Sequence, residues 1–197
     1  MGNHKRRKES LMPSSDAMTI PVVLKLISAL NPSSILDVGA GNGKYGFLFR
    51  EVLDMNYGRF ARDDWNIKID GIELVKEYKN PIHDYFYNIF VWEDWLKVDI
   101  DYDYDLIFMG DVLEHFEDGR WESALDKAKN NGNVVISVCP NWDGSIQQGA
   151  IFGHDSERHK TVLSPSRIGG KCVWANTKAF MTVHSQNDLI IGRDILI

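Results

Sequence analysis

ILDVGAGNGKYG, residues 35–46, is the stretch that decides the fold. Ile35 to Val38 is a short apolar run with the length and flanks of a buried strand, and it breaks at Gly39 into a turn with glycines at 39, 41, 43 and 46. Tyr45, Phe47, Leu48 and Val52 then read as a helix. A glycine turn between strand and helix lets the backbone take positive φ angles and lie against a ligand with no β-carbon in the way. The helix start offers unpaired N–H groups at the same place. From Gly41 through Gly43 to Gly46 the segment also satisfies G-x-G-x-x-G, the dinucleotide fingerprint, which is a weak signal when it stands alone.

Outward from this unit the chain alternates. Before it, Ile20, Val23, Leu24, Ile27 and Leu30 recur at three- and four-residue steps, so a helix is expected that ends by Asn31-Pro32. After it, NIKIDGIEL (66–74), YNIFVW (87–92), DYDLIFMG (103–110) and NVVISVC (133–139) are strand candidates, the last preceded by a helix carrying Trp121, Ala124, Leu125 and Ala128. Strands alternating with helices imply right-handed crossovers and a mostly parallel, Rossmann-like α/β sheet with helices on both faces. The tail differs: AFMTVH and LIIGRDILI, separated by residues 185–188, are expected to form a C-terminal antiparallel hairpin. Asn141 to Lys171 is glycine-rich and polar without periodicity, the pattern of a substrate loop or lid. No internal repeat is visible. The chain is expected to be a flexible basic tail over residues 1–13 and one domain over 14–197.

Composition narrows the function. The 197 residues are 44% apolar, enough for one core and too few for two ordinary domains. Lys plus Arg total 22 against 28 for Asp plus Glu, a formal charge of −6, which disfavours extensive nucleic-acid wrapping because phosphates must be met by a surplus of cations. The basic run Lys5 to Lys8 is expected to keep the tail solvated. No stretch approaches the roughly 20 apolar residues of a bilayer span, and the first 15 residues lack the apolar segment of a secretory signal, so a soluble, cytoplasmic protein is expected. Cys139 and Cys172 have neither zinc-ligand spacing nor a disulfide framework around them and are expected to be buried free thiols.

Asp37 separates the ligands that a glycine turn can hold. A carboxylate just before the glycines repels pyrophosphate and accepts a hydrogen bond from an ammonium group, so it favours a nucleoside that carries an amino acid over a dinucleotide. Glu73, at the end of the second strand, suits the two hydroxyls of a ribose. Glu93-Asp94-Trp95, in the third crossover, sets an acid for an adenine amino group beside an aromatic for its face.

DVGAGNG, IELV, the EDW step and GDVLEHF together resemble the serial motifs of class I S-adenosylmethionine-dependent methyltransferases, in matching order and spacing from about residue 34 to 141. The resemblance implies a seven-stranded sheet with S-adenosylmethionine over the carboxyl ends of the first strands. It places Asp37, Gly39, Ala40, Gly41 and Gly43 around the methionine part, Glu73 and Leu74 at the ribose, and Asp94 and Trp95 at the adenine, with Asp111 lining the cofactor cleft.

Asp111-Val112-Leu113-Glu114-His115 follows the fourth strand, where acceptor and methyl should meet, and His115 is the candidate general base. The expected activity is methyl transfer to an oxygen or nitrogen of a small or sugar-like acceptor, with no resident metal assigned. Two alternatives stay open. Asp111, Glu114 and His115, with His159 or His154, also resemble the E-x-x-E-H…H set by which small-RNA 3′-terminal 2′-O-methyltransferases hold a divalent metal; against that stand the Asp in place of the first Glu and the acidic chain. The other is a cofactor-binding regulatory module without turnover. Arg158, His159, Lys160 and Arg167 could meet an anionic substrate, and Trp142 could wall the acceptor pocket.

Overall fold

The computed structural model describes residues 16–141, 149–150 and 153–186. Seven strands form one sheet: β1 (Ser34–Val38), β2 (Lys68–Glu73), β3 (Phe90–Trp92), β4 (Tyr104–Gly110), β5 (Gly132–Pro140), β6 (Lys171–Ala175) and β7 (Ala179–Ser185), in the order β3-β2-β1-β4-β5-β7-β6. The first five run parallel, and β7 is antiparallel to β5 and β6. The helices are α1 (Ile20–Leu30), α2 (Lys44–Leu53), α3 (Pro81–Phe86), α4 (Arg120–Asn131) and the single turn α5 (Pro165–Ile168). The expected Rossmann-like α/β class is what forms.

Alternation along the buried strands sorts the core into two layers. Ile35, Ile69, Leu106 and Phe108 point to one face, where Val23 and Ile27 of α1 and Phe49 and Leu53 of α2 cover them. Leu36, Val38, Ile107 and Met109 point to the other, against Trp121, Leu125 and Ala128 of α4. The inward stripes differ from the sequence expectation by about a residue: α1 buries Val22, Val23, Leu26 and Ile27, and α2 buries Tyr45, Phe49 and Leu53 while Phe47 and Leu48 are only half-buried. Both helices are apolar on more than one side, so periodicity fixes their existence better than their rotation.

Two further expectations are corrected. YNIFVW yields only three strand residues, because Tyr87 ends α3 and turns inward. AFMTVH does pair antiparallel, but its described partner is β6, which precedes it; residues 189–197, the expected second arm, lie outside the described residues, as do the tail 1–13 and Trp142. β6 is a short edge strand with a register shift between Cys172 and Trp174, and a half-exposed, irregular strand carries little hydrophobic alternation for a reader to find. The connection is an Asx turn: the Asn176 side-chain oxygen accepts from the Lys178 and Ala179 amides at 2.7 and 2.8 Å. Both cysteines are free, Cys139 buried as expected and Cys172, against expectation, exposed because β6 is the edge of the sheet. Among the described residues no helix is long and apolar enough to cross a membrane.

Candidate active site

All the parallel strands end on the same side of the sheet, where the order reverses between β1 and β4, and a cleft of about 410 Å³ opens there. That volume is in the range of small-molecule sites. The turn after β1 forms its floor. Gly39, Gly41 and Gly43 have φ of 69°, 56° and 83°. At Gly39 an added Cβ would also stand 2.5 Å from Val112 Cγ2, so this position excludes any side chain on two counts. Gly43 is the N-cap of α2 and packs on Ile82, outside the cleft lining.

Two buried acids flank this floor. Glu73, 7% exposed at the tip of β2, accepts from the Gly41 amide at 2.9 Å through one oxygen and from the Val75 amide at 2.8 Å through the other. A carboxylate oxygen has lone pairs beyond those two bonds, so Glu73 retains acceptor capacity toward the cleft. Asp37, 1% exposed, accepts from the Tyr87 hydroxyl at 2.6 Å, and that hydroxyl in turn accepts from the Gly46 amide at 3.1 Å. Burial pushes the Asp37 carboxyl up to about 7, offset in part by the Tyr87 hydrogen bond. Tyr87 escapes sequence reasoning because it comes from fifty residues away. Gly46 is its counterpart: a Cβ there would lie 2.2 Å from the Tyr87 ring, so the last glycine of the fingerprint admits a tyrosine.

Lys44 also lines the cleft and was not anticipated. Its Nζ is buried, has no hydrogen-bond partner, and sits 4.9 Å from the centre of the Tyr45 ring. Burial lowers its pKa, while Asp111 and Asp37 favour the charged form.

Leu74 is exposed and Asp94 half-buried, and both line the cleft. Asp94 accepts from the Leu96 amide at 3.0 Å and faces Arg120 at 3.7 Å. Trp95 reaches the cleft but is 4% exposed, with its indole N–H donating to the Ala124 carbonyl at 3.0 Å. The EDW step therefore presents acids to the cleft and binds its tryptophan mostly to α4.

Beyond β4 the chain turns at Asp111, whose φ of 54° is unusual for a non-glycine residue; its amide donates to Val138 at 2.9 Å. Glu114 and His115 follow in the 3-10 turn Leu113–His115. Glu114 is 1% exposed and neither carboxylate oxygen has a hydrogen-bond partner. Burial drives its pKa well up, and Asp111 adds to the rise. The segment at 155–161 closes over this turn: Lys160 and Thr161 amides donate to the Glu114 carbonyl at 2.8 and 3.2 Å, and His115 Nδ1 meets the Arg158 carbonyl at 3.1 Å. A carbonyl can only accept, so Nδ1 carries a proton, and in the neutral ring the lone pair is then on Nε2. His159 stacks edgewise on His115 with ring centres 5.1 Å apart, and burial lowers its pKa to about 4. One ligand atom each of Glu114, His115 and His159 lie within 4.8 Å of one another.

Of the other three residues expected to meet an anionic substrate, Arg158 pairs with Asp155 at 2.7 Å and Arg167 with Asp118 at 2.5 Å, while Lys160 lines the cleft. His154 packs against Tyr78, apart from the Glu114 cluster.

The sequence matches no protein-family model and no curated protein. Solved structures with the same fold are found. A structure titled as the DhpI–SAH complex is 16% identical at a TM-score of 0.61, covering 84% of this chain and 83% of that one. The DhpI–SAM–HEP complex is 14% identical at 0.62, covering 84% of each. An O-methyltransferase family protein from Burkholderia thailandensis is 11% identical at 0.57, covering 85% of this chain and 56% of that one. The chain shares their fold.

Proposed function

We propose that the chain is an S-adenosylmethionine-dependent methyltransferase acting on an oxygen or nitrogen of a small-molecule acceptor. The observation that carries this is the arrangement at the strand tips: a positive-φ glycine floor flanked by the buried carboxylates Asp37 and Glu73. A pyrophosphate would meet repulsion from Asp37, whereas an ammonium and a ribose would each find an acceptor. Two of the fold neighbours are named for complexes with SAH or SAM, which supports the same cofactor here. Asp37 and Asp111 would hold the amino end, Glu73 the ribose hydroxyls, and Leu74 and Asp94 the adenine side, with Trp95 as a wall.

When bound, S-adenosylmethionine supplies a sulfonium methyl whose S–C bond breaks as an O–C or N–C bond forms, the electron pair staying on sulfur. What the chain must do is hold the acceptor in line and dispose of its proton. His115 Nε2 takes that proton, with Nδ1 steadied by the Arg158 carbonyl. His115→Ala is expected to lower turnover with little change in affinity for S-adenosylhomocysteine; turnover equal to wild type would remove His115 as the base.

A metal-assisted form of the same transfer is favoured by one observation, the convergence of Glu114, His115 and His159 within 4.8 Å around a buried carboxylate with no hydrogen-bond partner. One carboxylate and two neutral imidazoles suit Mn²⁺ better than Mg²⁺. A divalent ion held by these three would polarise an acceptor hydroxyl, and His115 would then be a ligand instead of a base. Dialysis against EDTA decides between them: activity lost and restored by Mn²⁺ supports the ion, and activity indifferent to EDTA leaves His115 as the base.

A further inference from the structure

We infer that Lys44 is the carboxylate-recognising group of the cleft, and that it reads the amino-acid end of the nucleoside cofactor. The inference rests on the cofactor assignment above and adds to it the counterpart that the acids leave unmet. An amino-acid-bearing nucleoside presents an ammonium and a carboxylate on one carbon. Asp37 and Asp111 answer the ammonium but repel the carboxylate.

Lys44 occupies the position that resolves this. As the first residue of α2 it follows directly on the glycine floor, so its backbone is set by the same turn that receives the ligand. Its side chain turns back into the cleft, where Nζ is out of contact with solvent and donates no hydrogen bond. An ammonium has three donors, and burying it unpaired is costly unless a ligand oxygen completes it. The surroundings prevent it from relaxing elsewhere: the Tyr45 ring lies 4.9 Å away, and Tyr45 is itself clamped by a 3.0 Å hydrogen bond to Thr19 and by packing on Phe108 with ring centres 4.5 Å apart. Asp37 and Asp111 keep the ammonium charged without saturating it. A cation between two acids gives an alternating surface, which matches a zwitterion and discriminates against a nucleoside lacking one.

The test compares two nucleosides that differ in this end alone. S-Adenosylhomocysteine carries the amino and carboxyl groups, and 5′-methylthioadenosine carries neither. Calorimetric affinities of both are measured for the wild-type chain, Lys44→Met and Lys44→Arg, with melting curves to establish that each variant is folded. Lys44→Met is expected to weaken S-adenosylhomocysteine by about tenfold or more, the effect of removing a charged hydrogen-bond partner, and to leave 5′-methylthioadenosine within about twofold. Lys44→Arg, which keeps the charge, should recover part of the loss. Equal weakening of both nucleosides, or no change for S-adenosylhomocysteine, would overturn the assignment. Failure of the wild-type chain to bind either nucleoside would instead remove the cofactor assignment, and this inference with it.

Discussion

Asp37 is the residue on which most of the site's chemistry turns. Its carboxyl is held near 7 by burial, so it gains charge as the pH rises through that value. Affinity for a cofactor whose ammonium it accepts is therefore expected to increase from slightly acidic to slightly alkaline pH, measurable by calorimetry with S-adenosylhomocysteine. The stability effect has the opposite sign. The folded pKa is raised, so the folded state holds more protons than the unfolded chain between about 4 and about 7. The contribution of Asp37 to stability is full below that window and is lost as pH rises through it. Tyr87→Phe removes the bond that offsets the rise. It should move the binding midpoint to higher pH, and a midpoint that stays put would show that Tyr87 only packs. Asp37→Ala and Glu73→Ala should each weaken the cofactor by about 1 kcal/mol or more; unchanged affinity in both would remove the site. At this scale Asp37 and Glu73 were legible because each ends a readable strand. Tyr87 and Lys44 were not. One reaches Asp37 across fifty residues, and the other matters through a side-chain path that one residue letter does not encode.

Among elements, α2 joins the site to the rest of the domain. Its first turn begins at the glycine floor, its third residue makes room for Tyr87, and its seventh, Arg50, is fully buried. Gly46→Ala would force a Cβ into the Tyr87 ring, and we expect a loss of about 1–3 kcal/mol in urea unfolding together with weakened cofactor binding, since the displaced tyrosine is the one that holds Asp37. A neutral Gly46→Ala would contradict the close approach. The strand–glycine–helix unit was legible because strand, turn and helix each follow a different local rule that agrees with the others. The β6–β7 hairpin was assigned the wrong partner because β6 is an exposed, bulged edge, and the pairing of antiparallel strands depends on the whole sheet more than on either segment.

Across the molecule, the candidate cleft and a buried charge network lie at opposite ends of the sheet. The cleft lies at the carboxyl tips of the strands, where orphaned polar atoms collect on Lys44 and Glu114. Arg50, on the last turns of α2, is instead bonded through all three nitrogens: it donates to Asp54 at 2.8 Å, Asn88 at 2.7 Å and the carbonyls of Ile67 and Phe86 at 2.5 and 2.9 Å. It thereby ties α2 to the segment before β2 and to the end of α3. Arg50→Ala would leave Asp54, which is fully buried, with Arg59 as its one charged partner among the described residues, and should cost about 3–5 kcal/mol in unfolding free energy. A loss under about 1 kcal/mol would mean that the network is dispensable. The α/β class was legible from alternation alone, whereas the seven-stranded sheet was expected only from the family resemblance, and its edge strand β6 was not read as a strand because it is short, half-exposed and irregular.

The central claim, that the strand-tip cleft takes a nucleoside bearing an amino acid, is tested most directly by titrating the purified chain calorimetrically with S-adenosylhomocysteine and, separately, with NAD. Saturable one-to-one binding of S-adenosylhomocysteine, weakened in Asp37→Ala and Glu73→Ala, with NAD giving no comparable signal, is the expected result. Binding of NAD without S-adenosylhomocysteine, or binding of neither, would contradict it.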